Sequence, residues 1–170
     1  IGAGNTAGSV QFTPTDDNVY EGNETAGISV SGVSGGGASE NGSQAFTITI
    51  TENESAPTVT LSTSGSSIAE NAGSSLTLTA TLSVATTADV TVALSTSGTA
   101  TEGTDYTDGS GNIDDITISA GSTTGTVNFT PTNDSVYEND ETATIAITGV
   151  SGGGASESGS QSVTITISED

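Results

Sequence analysis

The large apolar residues of this chain fall almost entirely in short runs with a period of two. Leu76, Leu78, Ala80 and Leu82 alternate with Thr, and Val90, Val92 and Leu94 keep the same spacing. So do Ile116 with Ile118, Val127 with Phe129, Ile145 with Ile147, and Val163, Ile165 and Ile167. Such alternation puts the apolar side chains on one face of an extended strand and Thr or Ser on the other. Thr, being β-branched, also suits a strand for its own steric reasons. No window carries an apolar stripe at helical spacing, and the 23 glycines lie mostly between the runs. The pattern predicts an all-β chain of short antiparallel strands, each with one wet face. It outweighs composition, which points toward disorder: Leu, Ile, Val and Phe together are 32 of 170 residues, close to the level at which strongly charged chains stay unfolded.

The chain repeats itself. Phe12-Thr13-Pro14-Thr15 returns as Phe129-Thr130-Pro131-Thr132, and the run from Gly32 to Glu40 returns unchanged from Gly149 to Glu157. Residues 1–53 align without a gap on 118–170, with 35 identities in 53 positions. Similarity of this kind marks tandem duplication. It predicts that 1–53 is the C-terminal part of one module, 54–57 a short linker ending in Pro57, and 58–170 a complete second module. Seven strands are expected there, at about 58–63, 74–83, 88–97, 114–119, 123–131, 141–149 and 161–168, a number and spacing that suit an immunoglobulin-like sandwich. The first piece lacks the strands that would cover its apolar face, and half a sandwich is not expected to be stable alone; preceding residues are expected to supply the rest, ahead of the alternative, a strand borrowed from another copy.

Charge excludes much of what such a chain could do. It has 21 acidic residues and no Lys, Arg, His or Cys. Nucleic acid and anionic membrane surfaces are therefore excluded as partners, and no run approaches the ~18 apolar residues of a membrane span. Zinc lacks its usual donors. A Ser or Thr nucleophile would have no His or Lys as base. Paired carboxylates could in principle hydrolyse a glycoside, but the aromatic walls of a sugar cleft are missing, with 3 Phe, 3 Tyr and no Trp. The chain is not expected to be an enzyme.

The acids themselves are grouped. Asp16, Asp17, Glu21 and Glu24 follow the first Phe-Thr-Pro strand; Asp134, Glu138, Asp140 and Glu141 follow the second, with Asn133 in place of the first Asp. Glu169 and Asp170 close the second module as Glu52 and Glu54 close the first. In a sandwich, loops from alternate strand ends converge at one pole. Two unit charges 4 Å apart interact by roughly 4 kcal/mol at an effective dielectric of 20. A hard divalent cation would relieve that repulsion, and Ca2+ accepts about 6–8 oxygen ligands in irregular geometry. The isolated acids Asp89, Asp108, Asp114, Glu40 and Glu157 are expected to be merely solvated, and the glycine-rich run, with no Lys and no following helix, to be a hairpin turn.

The segments Ser67 to Gly73, Gly98-Thr99-Ala100 with Asp105-Tyr106, the loop Asn133 to Glu141 and the end Thr164 to Asp170 resemble a Calx-β domain. The resemblance spans 58–170 and, as a partial copy, 1–53. Its most specific element is the acid spacing of Asp134, Glu138 and Glu141, repeated in Asp17, Glu21 and Glu24. The resemblance implies tandem immunoglobulin-like antiparallel sandwiches with Ca2+ as cofactor, held by Glu70, Asp105, Asp134, Glu138, Glu141, Glu169 and Asp170. The first copy's set would be Asp17, Glu21, Glu24, Glu52 and Glu54. Asn133 and the short acidic end depart from strong calcium binders and imply fewer or weaker sites.

The function expected from these features is structural. The chain would be a calcium-binding stretch of an extracellular tandem-repeat filament or adhesin at a bacterial cell surface. Its partners would be adjacent repeats or other copies of itself, joined through strand edges or Thr/Ser-rich faces rather than charge pairs. A glycan or surface ligand would sit at a distal tip outside these residues. The alternatives are a calcium-dependent carbohydrate- or protein-binding module, which a glycan array with and without chelator would detect, and a calcium sensor, against which near-identical repetition argues.

Overall fold

Where the sequence alternates, the backbone is extended, and where glycine interrupts it, the backbone turns. The computed structural model describes residues 1–169. In chain order the strands are β1 (Val19–Tyr20), β2 (Glu24–Ser29), β3 (Ala45–Ile50), β4 (Thr58–Thr63), β5 (Ser67–Ala69), β6 (Leu76–Leu82) and β7 (Ala85–Thr86). They continue with β8 (Val90–Gly98), β9 (Tyr106–Thr107), β10 (Ile116–Ile118), β11 (Thr124–Pro131), β12 (Glu141–Ser151), β13 (Ser156–Glu157) and β14 (Ser162–Ser168). The expected all-β sandwich is present, and each of the seven periodic runs is a strand. Four short strands, β5, β7, β9 and β13, are additional.

The chain divides into two units: residues 1–18 with 23–51, and residues 19–22 with 52–170. The second holds two five-stranded sheets, ordered β10-β8-β12-β14-β5 and β13-β4-β6-β11-β9. Their facing sides make one core. Leu78 and Phe129 from one sheet, and Val90, Ile145 and Ile165 from the other, are fully buried. The Tyr106 ring stacks on Phe129 with centroids 4.6 Å apart. Thr lines the outer faces, where Thr144 and Thr164 sit directly opposite and share a hydrogen bond of 2.9 Å, a favourable cross-strand pair.

Most pairings are antiparallel, but β5 joins β14 and β13 joins β4 in parallel. The first follows from connectivity. After β4 the chain breaks at Ser64-Gly65-Ser66, crosses from one sheet to the other, and continues in the same direction beside β14. Glu70 is thereby placed at the end of the sheet next to the C-terminal strand, its N–H donating to the Ser168 carbonyl (3.0 Å).

In the first unit β2 and β3 form an antiparallel pair with Glu24 opposite Ile50, the register in which Glu141 faces Ile167 in β12 and β14. Phe12 is 43% exposed, whereas Phe129, 117 positions on, is fully buried. The second unit also takes in β1, which runs parallel to β7 with Val19 opposite Ala85 and Tyr20 opposite Thr86.

Candidate calcium site

Four chain segments bring carboxylates together at one end of the second unit. Asp105 lies in the loop before β9, held by hydrogen bonds from Thr101 N–H to its Oδ2 (2.6 Å) and from Thr132 N–H to its backbone carbonyl (2.9 Å). Glu138 lies in the loop before β12, and Glu141 is the first residue of that strand. One carboxylate oxygen from each of these three lies within 4.8 Å of the others, the one such acidic group of three or more among the described residues. Glu70 and Glu169 line the same cleft, with Thr132 and Asn139.

The loop is fixed by carboxylates, two of them from other segments. Glu138 N–H donates to Glu169 Oε2 (2.9 Å), Asp134 N–H to Glu70 Oε1 (2.7 Å), and Val136 N–H to Asp134 Oδ1 (2.6 Å). Glu70 is the one buried acidic residue among those described. Burial, then the negative charges of Asp105, Asp134, Glu70 and Glu169, push the Glu138 carboxyl above its ordinary pKa. Burial and the nearby Asp105 do the same to Glu141. Both shifts say that these carboxylates are ionised at a cost, because nothing positive faces them.

Oxygens bound to one Ca2+ at about 2.3–2.6 Å can be no more than about 5.2 Å apart, so oxygens within 4.8 Å of one another fit one ion. The donors are all hard oxygens, and the chain has no cationic side chain to neutralise them. The arrangement suits Ca2+ and offers nothing to softer metals.

Of the residues expected from sequence, Glu70, Asp105, Glu138, Glu141 and Glu169 line the cleft; Asp134 lies beside it, its N–H bound to Glu70. Asp170 lies outside the described residues. Asp17 and Glu24 belong to the first unit, and Glu21, Glu52 and Glu54 to the second. Glu52 is an amide acceptor: its Oε2 takes the N–H groups of Glu21 and Gly22 (both 2.6 Å) and its Oε1 those of Asn53 and Glu54 (both 2.9 Å). The bonds from Glu54, Glu21 and Gly22, that from Glu54 the largest, lower its pKa to about 2. The bond from Glu21 N–H to Glu52 repeats that from Glu138 N–H to Glu169, so the terminal acid holds the acidic loop in both copies.

Two cleft residues escape a search for acids, Thr132 and Asn139. Asn139 has φ of 70°, the left-handed region, and its counterpart Gly22 has φ of 76°. An Asn–Gly exchange at one repeat position signals such a turn. Several acids expected to be merely solvated are bonded to backbone. Asp89 Oδ1 accepts from Ala120 N–H (2.8 Å), Asp108 Oδ1 from Ser110 N–H (2.6 Å), and Glu40 Oε1 from Gln44 N–H (3.0 Å). Glu157 accepts from Gln161 N–H in the same way as Glu40.

The Calx-beta domain family matches residues 2–54 and again 52–170. A crystal structure of the apo-form Calx CBD1 domain superposes with a TM-score of 0.52 at 20% identity, covering 66% of this chain and 98% of that one. A crystal structure of CBD12 from CALX1.2 gives a TM-score of 0.52 at 20% identity, covering 65% of this chain and 44% of that one. No curated protein sequence matches. The chain belongs to the Calx-beta domain family. Domains of this family are calcium-binding modules rather than enzymes.

Proposed function

We propose that this chain is a structural stretch of an extracellular tandem-repeat filament or adhesin whose modules are stiffened by Ca2+ at the cleft of Glu70, Asp105, Glu138, Glu141 and Glu169. The observation that carries the reading is the convergence of Asp105, Glu138 and Glu141 oxygens within 4.8 Å in a chain with no Lys, Arg or His. Such a group is held together against its own repulsion by the fold, and a divalent ion converts that repulsion into ligation. The extracellular setting is supported by calcium supply, since extracellular modules bind at about 10⁻⁴–10⁻³ M, and by the lack of any basic residue for trypsin-like proteases to cut beside. An array built of copies is supported by the 35 identities in 53 aligned positions, and its partners would be adjacent repeats and other copies.

Calorimetry of the chain in calcium and in chelator tests this. At a hundredfold excess over Kd, binding to the folded state adds about 2.7 kcal/mol, on the order of 10 °C in melting temperature for a domain of this size. The double variant Glu138→Gln, Glu141→Gln is expected to melt higher than wild type in chelator and to lose its response to calcium. Wild-type melting that ignores calcium would end the proposal.

A further inference from the structure

The triple glycine shared by both repeats has no part in the calcium site. Gly152, Gly153 and Gly154 all have positive φ (91°, 54° and 67°), as do Gly35, Gly36 and Gly37 (88°, 61° and 74°), so the turn itself demands glycine at these positions. In the second unit there is another demand. A Cβ at Gly152 would lie 2.1 Å from the Asp89 carbonyl oxygen, one at Gly153 2.8 Å from Thr86 Oγ1, and one at Gly154 2.8 Å from Tyr20 Cε1. The turn is thus seated against the segment carrying β7 and forms the floor under the Tyr20 ring, while β1 pairs with β7 alongside. At Gly35, Gly36 and Gly37 an added Cβ would meet nothing within 4 Å.

β1 has a copy. Val19-Tyr20-Glu21 returns as Val136-Tyr137-Glu138, in a loop tied down by the same terminal-acid bond, Glu138 N–H to Glu169. Yet Val136 and Tyr137 belong to no strand and are 58% and 76% exposed, whereas Val19 and Tyr20 are half-buried. We infer that Val136–Tyr137 is a docking strand for a second copy of this module, pairing in parallel with that copy's Ala85–Thr86 edge and laying Tyr137 over its Gly152–Gly154 turn.

The occupant follows from the repeat. The structure already contains one Val-Tyr strand seated on one such edge, and the second Val-Tyr strand has the same sequence and the same loop anchor. Backbone pairing at the edge supplies register, and the aromatic ring on a glycine floor supplies apolar contact and selectivity. No charge pair is needed, in keeping with a chain of 21 acids and no basic side chain. The inference rests on the tandem-array part of the proposed function and not on calcium ligation.

A covalent trap tests it. The chain has no Cys, so an introduced pair reports only itself. Ser substitutions at Val19 and Tyr20 free the acceptor edge. In that background Val136→Cys with Ala85→Cys places two thiols at opposed positions of the inferred pairing. Strands about 4.7–4.9 Å apart lie within the roughly 4.4–6.8 Å span of a disulfide. Mild oxidant is expected to give a ladder of disulfide-linked oligomers. Adding Tyr137→Ser should reduce it about tenfold, equivalent to about 1.4 kcal/mol, as should restoring Val19 and Tyr20, which reoccupy the edge. A ladder no stronger than that from Val136→Cys with Ser110→Cys, or one indifferent to Tyr137→Ser, would overturn the inference. Melting the same variant in calcium and in chelator reads the calcium site separately, so either idea can fail alone.

Discussion

A carboxylate in a chain without cationic side chains is satisfied by water, by an N–H or hydroxyl, or by a metal ion, and this protein's acids divide along those lines. Glu102 shows the second mode, accepting from Thr96 Oγ1 (2.8 Å) and Ile113 N–H (2.6 Å); Glu52, with four amide donors, shows it most fully. Glu138 and Glu141 show the third need. The upward shifts of Glu138 and Glu141 and the downward shift of Glu52 give opposite pH dependences. Glu138 and Glu141 titrate above their ordinary value of 4.5 in the folded state. The folded chain therefore binds more protons there than the unfolded chain, and stability falls as pH rises through that window. Glu52 titrates at about 2 rather than 4.5, so its contribution is present above 4.5 and is lost as pH falls toward 2. In chelator, stability is expected to rise as pH is lowered toward 4.5 and then to decline. Denaturant titrations from about pH 3 to 7 check this. Glu138→Gln with Glu141→Gln should remove the rise and leave the acid-side decline, and Glu52→Gln should keep the rise and reduce the decline, the remainder coming from Asp108, whose pKa is also lowered by its bonds to Ser110 and Gly111. Because calcium needs deprotonated ligands, its stabilising effect should shrink over the same window in which the apo form gains.

At the scale of elements, β4, β6, β8, β11, β12 and β14 were readable because six or more residues carry enough alternation to declare a face, and the three-residue β10 because Ile116 and Ile118 stand two apart. The short strands β5, β7, β9 and β13 have two or three residues each and at most one large apolar side chain, so no period shows. They exist because a neighbouring edge offers them backbone partners. Gly125 makes the same point about contact. In the sequence it is one more glycine in a strand, yet a Cβ there would lie 2.4 Å from the Thr117 carbonyl oxygen and 2.8 Å from Ile116 Cγ2, where β10 of one sheet crosses close to β11 of the other. Gly125→Ala is expected to destabilise by about 1–3 kcal/mol, as overpacking does. Gly111→Ala, with nothing within 4 Å of the added Cβ, should change stability by no more than about 1 kcal/mol. Equilibrium urea unfolding of the two variants decides between them; equal losses would show that packing between β10 and β11 is not what demands glycine at 125.

The whole molecule carries its own control, because one sequence appears in two settings. Ile28 and Ile48 are half-buried, and their counterparts Ile145 and Ile165 are fully buried. Phe46 is 60% exposed. Amide exchange should report this directly: N–H groups of β2 and β3 are expected to exchange orders of magnitude faster than the matched groups of β12 and β14, 117 positions on. Equal protection would mean that the hairpin is stable without a facing sheet. The alternation of apolar residues with Thr and Ser determined that the chain is β and which side of each long strand is apolar, since a period of two is a local property of an extended backbone. The same run determined the hairpin register, which is identical in both copies. The spacing of Asp134, Glu138 and Glu141 likewise named carboxylates that the fold carries to one cleft or its edge. What local pattern could not decide was burial, because Phe12 and Phe129 sit in the same Phe-Thr-Pro-Thr run, yet only Phe129 has β6 paired beside its strand and a second sheet packed across from it. Nor could it decide which acids meet: Asp105 reaches Glu138 and Glu141, and Tyr20 reaches Gly154, only when strands distant in sequence pack together, and that choice belongs to the tertiary structure.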